Sequence, residues 1–110
     1  MPAPSMSPEL LLLIAERFKA LGEPARLHIL NALRTREMTV NELTEETGLR
    51  QANLSKHLQL LHSLGFVSRR KDGLFVNYAL ADKDVFRLCD IMCGRLGAET
   101  TRRRRVIAGR

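Results

Sequence analysis

The stretch from Thr39 to Ser63 leaves this chain few folds. Thr39 is a natural N-cap with Glu42 three residues on, a reciprocal capping pair, and it opens a short helix that buries Val40 and Leu43 and stops at Gly48. A second helix follows after only a tight turn, over about Gln51–Ser63. It carries Leu54, Leu58 and Leu61 at i, i+4 and i+7 on one side and Asn53, Lys56 and Gln59 on the other. Two helices joined by so short a glycine-containing turn, the second polar outward and free of carboxylates, make a helix-turn-helix.

The flanks complete the pattern. Ser7-Pro8-Glu9 sets a capping hydroxyl before a proline and an acid, which starts a first helix over Pro8–Ala20; Met1–Ser7 reads as a frayed end. The apolar residues of that helix (Leu10, Leu11, Leu13, Ile14, Phe18, with Leu21 after it) cover more than one face, so part of it is expected to meet a partner subunit. Gly22 ends it. Glu23-Pro24 restarts the chain as a helix over Pro24–Leu33, with Leu27, Ile29, Leu30 and Leu33 inward and Arg26, Arg34 and Arg36 outward. Beyond Gly65, the runs Phe66–Lys71 and Leu74–Leu80 flank Asp72-Gly73, a tight hairpin signal, and this hairpin is the wing. A last helix from near Ala81-Asp82 to about Leu96 aligns Val85, Leu88, Cys89, Met92, Cys93 and Leu96, weakened at its end by Gly94 and Gly97. The expected architecture is mainly α with a small β-hairpin, a winged helix-turn-helix of four helices, a two-stranded wing and a closing helix. Residues 8–97 are expected to form one winged helix-turn-helix domain, for DNA binding and dimerisation, and residues 98–110 a basic, flexible tail.

Composition narrows function. A chain of 110 residues is expected to hold one compact domain, and with one Tyr, four Phe and no Trp its core must be aliphatic. Its net charge of +6 falls to +1 without Arg102–Arg105 and Arg110. Positions 1–49 carry five basic and seven acidic residues, whereas positions 50–71 carry five basic and no acidic ones, as a phosphate-facing surface requires. No glycine-rich phosphate loop, paired acid with a basic partner, or nucleophile beside a base is present, so an enzyme is not expected. The apolar run Leu10–Ala15 is too short to cross a bilayer and lacks a preceding cation, which places the chain in the cytoplasm with Cys89 and Cys93 as thiols.

The stretches Leu21-Gly-Glu-Pro-Ala-Arg-Leu-His-Ile-Leu30, Gln51-Ala-Asn-Leu-Ser-Lys-His-Leu58 and Asp72-Gly-Leu-Phe-Val-Asn-Tyr78, in this order and spacing, resemble the ArsR/SmtB family of bacterial repressors over roughly residues 8–97. The resemblance implies a homodimer joined through the first and last helices. It would bind an inverted repeat in duplex operator DNA and leave it when an effector binds. A helix-turn-helix places Gln51 and Asn53 against base edges, since an amide pairs with adenine through donor and acceptor; Ser55 discriminates less, and Lys56 meets phosphate. His57, near the buried edge, is a packing or phosphate-bonding residue. Family members often have Ser where this chain has Arg50, so a helix cap is lost and a cation gained at the turn. Arg69, Arg70 and Lys71 on the wing grip the backbone or straddle a minor groove. The tail arginines either add salt-sensitive affinity or act only in solubility.

The effector position is less determined. The family's cysteine site on the third helix is absent from Thr39–Glu46, and Asp82 and Asp84 have no histidine after them on the last helix; His28 and His62 read as structural. Cys89 and Cys93, at i, i+4, sit about 5–6 Å apart on one face. They suit a soft metal or metalloid, such as arsenite, Cd(II), Hg(II) or Cu(I), or oxidation; equally, both fall on the apolar stripe and pack as small hydrophobes. No cofactor is required for DNA binding. The expected function is a homodimeric repressor released from its operator by a thiol-reactive effector, with a winged-helix protein- or RNA-interaction module without an effector site as the alternative.

Overall fold

In a computed structural model that describes residues 5–108, with side chains as far as residue 100, local caps set the helix ends. The Ser7 hydroxyl accepts from the Leu10 amide at 3.1 Å and starts α1, Pro8–Leu21. Glu23 caps α2, Pro24–Leu33. Next, Met38–Thr39 forms a two-residue strand, β1, and Thr39 caps α3, Val40–Thr47. The capping box is reciprocal: Thr39 Oγ1 accepts from the Glu42 amide at 3.2 Å, and Glu42 Oε1 accepts from the Thr39 amide at 3.0 Å. Gly48, at φ +73°, turns the chain out of α3, and three residues later α4 begins, spanning Gln51–Ser63.

The hairpin pairs β2, Val67–Asp72, with β3, Phe75–Leu80, in a register from Val67↔Leu80 to Asp72↔Phe75. Its central residues are Gly73, at φ +62°, and Leu74, rather than Asp72 and Gly73; glycine first is the type II′ arrangement. β1 adds to the far side of β3 through Met38↔Tyr78 and Thr39↔Asn77, giving an antiparallel sheet in the order β1-β3-β2. This third strand is a correction to the two-stranded expectation. Two residues carry no periodicity, and Thr39 serves at once as strand end and N-cap, since both need an extended backbone.

The core is aliphatic: Ile29, Leu30 and Leu33 from α2, Leu43 from α3, Leu54, Leu58 and Leu61 from α4, Met38 and Val67 from the sheet, and Val85 and Phe86 from α5. Leu27 is half-buried rather than inward. The last helix, α5, spans Val85–Ala108, starting later than Ala81-Asp82 and running past the expected end near Leu96. Asp82 instead forms a turn, its Oδ1 accepting from the Asp84 amide at 2.8 Å. Gly94 and Gly97 lie within the helix, and the helix-favouring residues that follow outweigh their cost of about 1 kcal/mol each. Residues 98–108, expected to be a flexible tail, are instead the last turns of α5, a correction to the sequence expectation; the frayed-end expectation for residues 1–4 and the tail expectation for 109–110 lie outside the described residues.

Because the capping box carries both the strand end and the helix start, Thr39→Ala is expected to cost about 1 kcal/mol, lowering Tm by about 4–8 °C in a thermal melt. The amide of Thr39 and then the Arg36 guanidinium, 2.8 Å from Oε2, hold the Glu42 carboxyl below its usual range. A carboxyl with a depressed folded pKa stabilises above its unfolded pKa, so this contribution is fully present at neutral pH and fades as pH falls through the depressed value.

Candidate nucleic-acid interface

The outer face of α4 is built by its own buried face. With Leu54, Leu58 and Leu61 wholly buried, the helix can only present Gln51, Asn53, Ser55, Lys56 and Gln59 to solvent. Arg50 occupies the N-cap position without any side-chain cap bond, as its replacement of a serine implies. The first amides of α4 are therefore left to an external acceptor, and the helix dipole favours an anion there.

His57 is only half exposed, and its partner is unexpected. Arg26, expected to point outward, is half-buried and bridges three elements: its Nε donates to the Ala20 carbonyl at 2.6 Å, its Nη2 to the Lys19 carbonyl at 3.4 Å, and its Nη1 to Nδ1 of His57 at 3.3 Å. It closes the C-terminal turn of α1 and ties that turn, through α2, to α4. A guanidinium has no acceptor, so Nδ1 must be the unprotonated nitrogen, which leaves Nε2–H as a donor. Arg26 is a residue that sequence reasoning missed. Its place on a helix of alternating polar and apolar residues gave no sign of partners 6 and 31 positions away.

On the wing, only Val67 of β2 is buried, so the hairpin projects from the body. Arg69 and Lys71 lie with Val76 and Tyr78 around an open hollow of about 350 Å³, and neither cation makes an ion pair among the described residues. Arg70 points the other way. It forms a close ion pair with Glu37 and a weaker one with Asp72 at 3.7 Å, and the Glu37 hydrogen bond holds its guanidinium still more firmly protonated. The structure thus separates three residues that the sequence grouped together: two cations are free on one face and one is engaged on the other.

Away from the reading face, α1 exposes Leu10, Leu11, Leu12, Leu13 and Phe18, and α5 exposes Leu88, Ile91, Met92 and Leu96. The helices share an apolar groove of about 160 Å³, lined by Ile14, Phe18, Leu21, Phe66, Leu88 and the stem of Arg17. Cys89 is half-buried against the core and Cys93 is exposed on α5. No group of three or more His, Cys, Asp or Glu able to hold a metal occurs among the described residues, so two thiols in one protomer could serve only an ion that accepts two-coordinate thiolate ligation, such as Hg(II) or Cu(I). No helix among the described residues is long and apolar enough to cross a membrane.

A helix-turn-helix with an acid-free outer helix and a projecting basic hairpin defines a winged helix-turn-helix regulator of transcription. The profile described as "Bacterial regulatory protein, arsR family" matches residues 23–69. The crystal structure of M. tuberculosis Rv0081 is 36% identical, covers 89% of this chain and 98% of its own, and superposes with a TM-score of 0.77. The homodimeric winged helix-turn-helix DNA-binding domain of Mb0332 from Mycobacterium bovis, a possible ArsR-family regulator, is 32% identical, with coverage of 91% and 94% and a TM-score of 0.73. A probable mercury resistance operon repressor of Streptomyces lividans is 38% identical over 71 residues, 64% of this chain and 57% of its own length, and the full Rv0081 sequence is matched over 66%. The chain belongs to the ArsR family, whose members are transcriptional regulators and not enzymes.

Proposed function

We propose that this chain is a homodimeric repressor that binds operator DNA sequence-specifically through α4 and the wing, acting in the cytoplasm. The observation that carries the reading is the exposed outer face of α4, free of any carboxylate, beside the unpaired Arg69 and Lys71. Gln51 and Asn53 read base edges, with Ser55 beside them. Lys56, Arg50, Nε2–H of His57, Arg69 and Lys71 hold phosphates, whereas Arg70 must first leave Glu37. Dimerisation buries the apolar faces of α1 and α5, an arrangement supported by the homodimeric M. bovis relative.

The effector is thiol-reactive, acting at Cys89 and Cys93. The exposure of Cys93, the reach of an i, i+4 pair and the mercury-linked name of the S. lividans relative support a soft metal or an oxidant. For an ion of higher coordination number, such as Cd(II) or arsenite, the second subunit would supply the further thiols. The arginines of residues 102–105 and Arg110 add salt-dependent affinity.

Fluorescence anisotropy of the reduced protein on DNA upstream of its own gene tests the reading. Lys56→Ala should weaken binding to all duplexes and reduce the salt slope by about 1, while Gln51→Ala should shift sequence preference by about 1–3 kcal/mol at one base pair. Variants that bind like the parent would remove α4 from recognition. Failure of the parent to prefer duplex DNA would instead favour a protein- or RNA-binding module. Release by Hg(II) or an oxidant that is lost when both cysteines become serine places the effector at the thiols; release retained in that double variant places it elsewhere.

A further inference from the structure

The apex of the wing does not look like the rest of the charged surface. Leu74 is 97% exposed and Phe75 is 60% exposed, although both belong to a hairpin whose neighbours are Arg69, Lys71 and Asp72. The turn does not need a leucine. Gly73 supplies the one positive φ, and Leu74, in the second central position, has the ordinary negative φ that any L residue adopts. The core does not need it either, since β2 leaves the core after Val67 and a six-residue strand carries the apex some 20 Å along the hairpin. A branched apolar side chain at the tip of a projecting arm contributes binding energy only when another surface covers it.

We infer that Leu74 is an apolar contact of the wing to DNA, packing against the deoxyribose lining of a minor groove while Arg69 and Lys71 engage the phosphates on its rim. Charge selects the occupant: the two unpaired cations draw the arm to a polyanion, and a minor groove offers sugar faces between two rows of phosphate at the width of one side chain. The contact adds affinity without releasing counterions. It is therefore the part of wing binding that salt does not weaken, in contrast to Lys71. This inference rests on the DNA-binding function proposed above and adds a non-ionic determinant to it.

Leu74→Ser separates the possibilities, because the side chain has no role in folding. Anisotropy would be measured from 50 to 200 mM salt on the duplex upstream of the protein's own gene and on a random-sequence duplex, with Lys71→Ala as the ionic control. Leu74→Ser is expected to weaken binding roughly fivefold at every salt concentration, the order expected when part of a leucine side chain returns to water, with the slope of log K against log salt unchanged. Lys71→Ala should lower that slope by about 1. Unchanged affinity for Leu74→Ser overturns the inference, as does a loss accompanied by a change in slope. A reduced self-association of the free protein with DNA affinity intact also overturns it, because the tip would then contact a second copy. A parent that binds no duplex sinks the proposed function itself, whereas a parent that binds with Leu74 indifferent sinks only the contact.

Discussion

Ile91→Glu on α5 is expected to convert the protein to monomers and to lower its affinity for operator DNA by roughly 10²–10⁴-fold. Ile91 is 60% exposed in the protomer, and Leu88, Met92 and Leu96 lie exposed on the same helix with a further apolar face on α1. In the proposed dimer a glutamate there would carry an unpaired charge from each subunit into a surface that dimerisation dehydrates, which is strongly unfavourable. The variant should nevertheless fold, because Ile91 contributes nothing to the buried core. The large effect on DNA follows from the valence of the proposed dimer: with one α4 docked, the second would bind at a high effective concentration, and a monomer would forfeit that gain. Sedimentation equilibrium and anisotropy on the same sample check both halves. A variant that remains dimeric and binds fully would locate the subunit contact away from α5.

Leu58→Ala should be among the most damaging single substitutions on the recognition helix, costing about 2–5 kcal/mol against a total of about 5–15 kcal/mol for a typical domain. Leu58 is wholly buried in the core that α4 shares with α2, α3 and the sheet, so its removal leaves a cavity that several elements would have to close together. The expected readout is a fall in Tm of about 10 °C or more. Leu60, two residues on and 36% exposed, provides the comparison: Leu60→Ala should cost less, because less apolar area is lost and no enclosed cavity is left. Similar melting temperatures for the two variants would mean that α4 is not packed as described.

These two helices differ in how legible they were. For α4 the spacing of Leu54, Leu58 and Leu61 is a period of the helix itself, so the buried face follows, and the reading face is what remains. The same argument brought Gln51, Asn53, Ser55 and Lys56 to one exposed surface. On the wing it failed in part. Alternation along β2 states that Arg70 faces away from Arg69 and Lys71, yet only the position of Glu37 on the far side of β3 shows that Arg70 is held there. For α5, local glycine cost predicted an early stop, and a run of residues with good helical propensity carried the helix through to Ala108.

What the sequence determined by itself is everything settled within about four residues. The Ser7 cap, the Thr39–Glu42 box, the left-handed Gly48 between α3 and α4, and the glycine of the hairpin each act on adjacent backbone, so they fix boundaries before any tertiary contact exists. Tertiary structure alone decided the pairing of Met38–Thr39 with β3, the Arg70–Glu37 ion pair and the bridge from Arg26 to His57. Those partners lie tens of positions apart. A hydrogen bond or ion pair reaches only a few ångströms, so whether such groups meet depends on how the helices and sheet pack around the shared aliphatic core, and no local pattern in the chain records that distance.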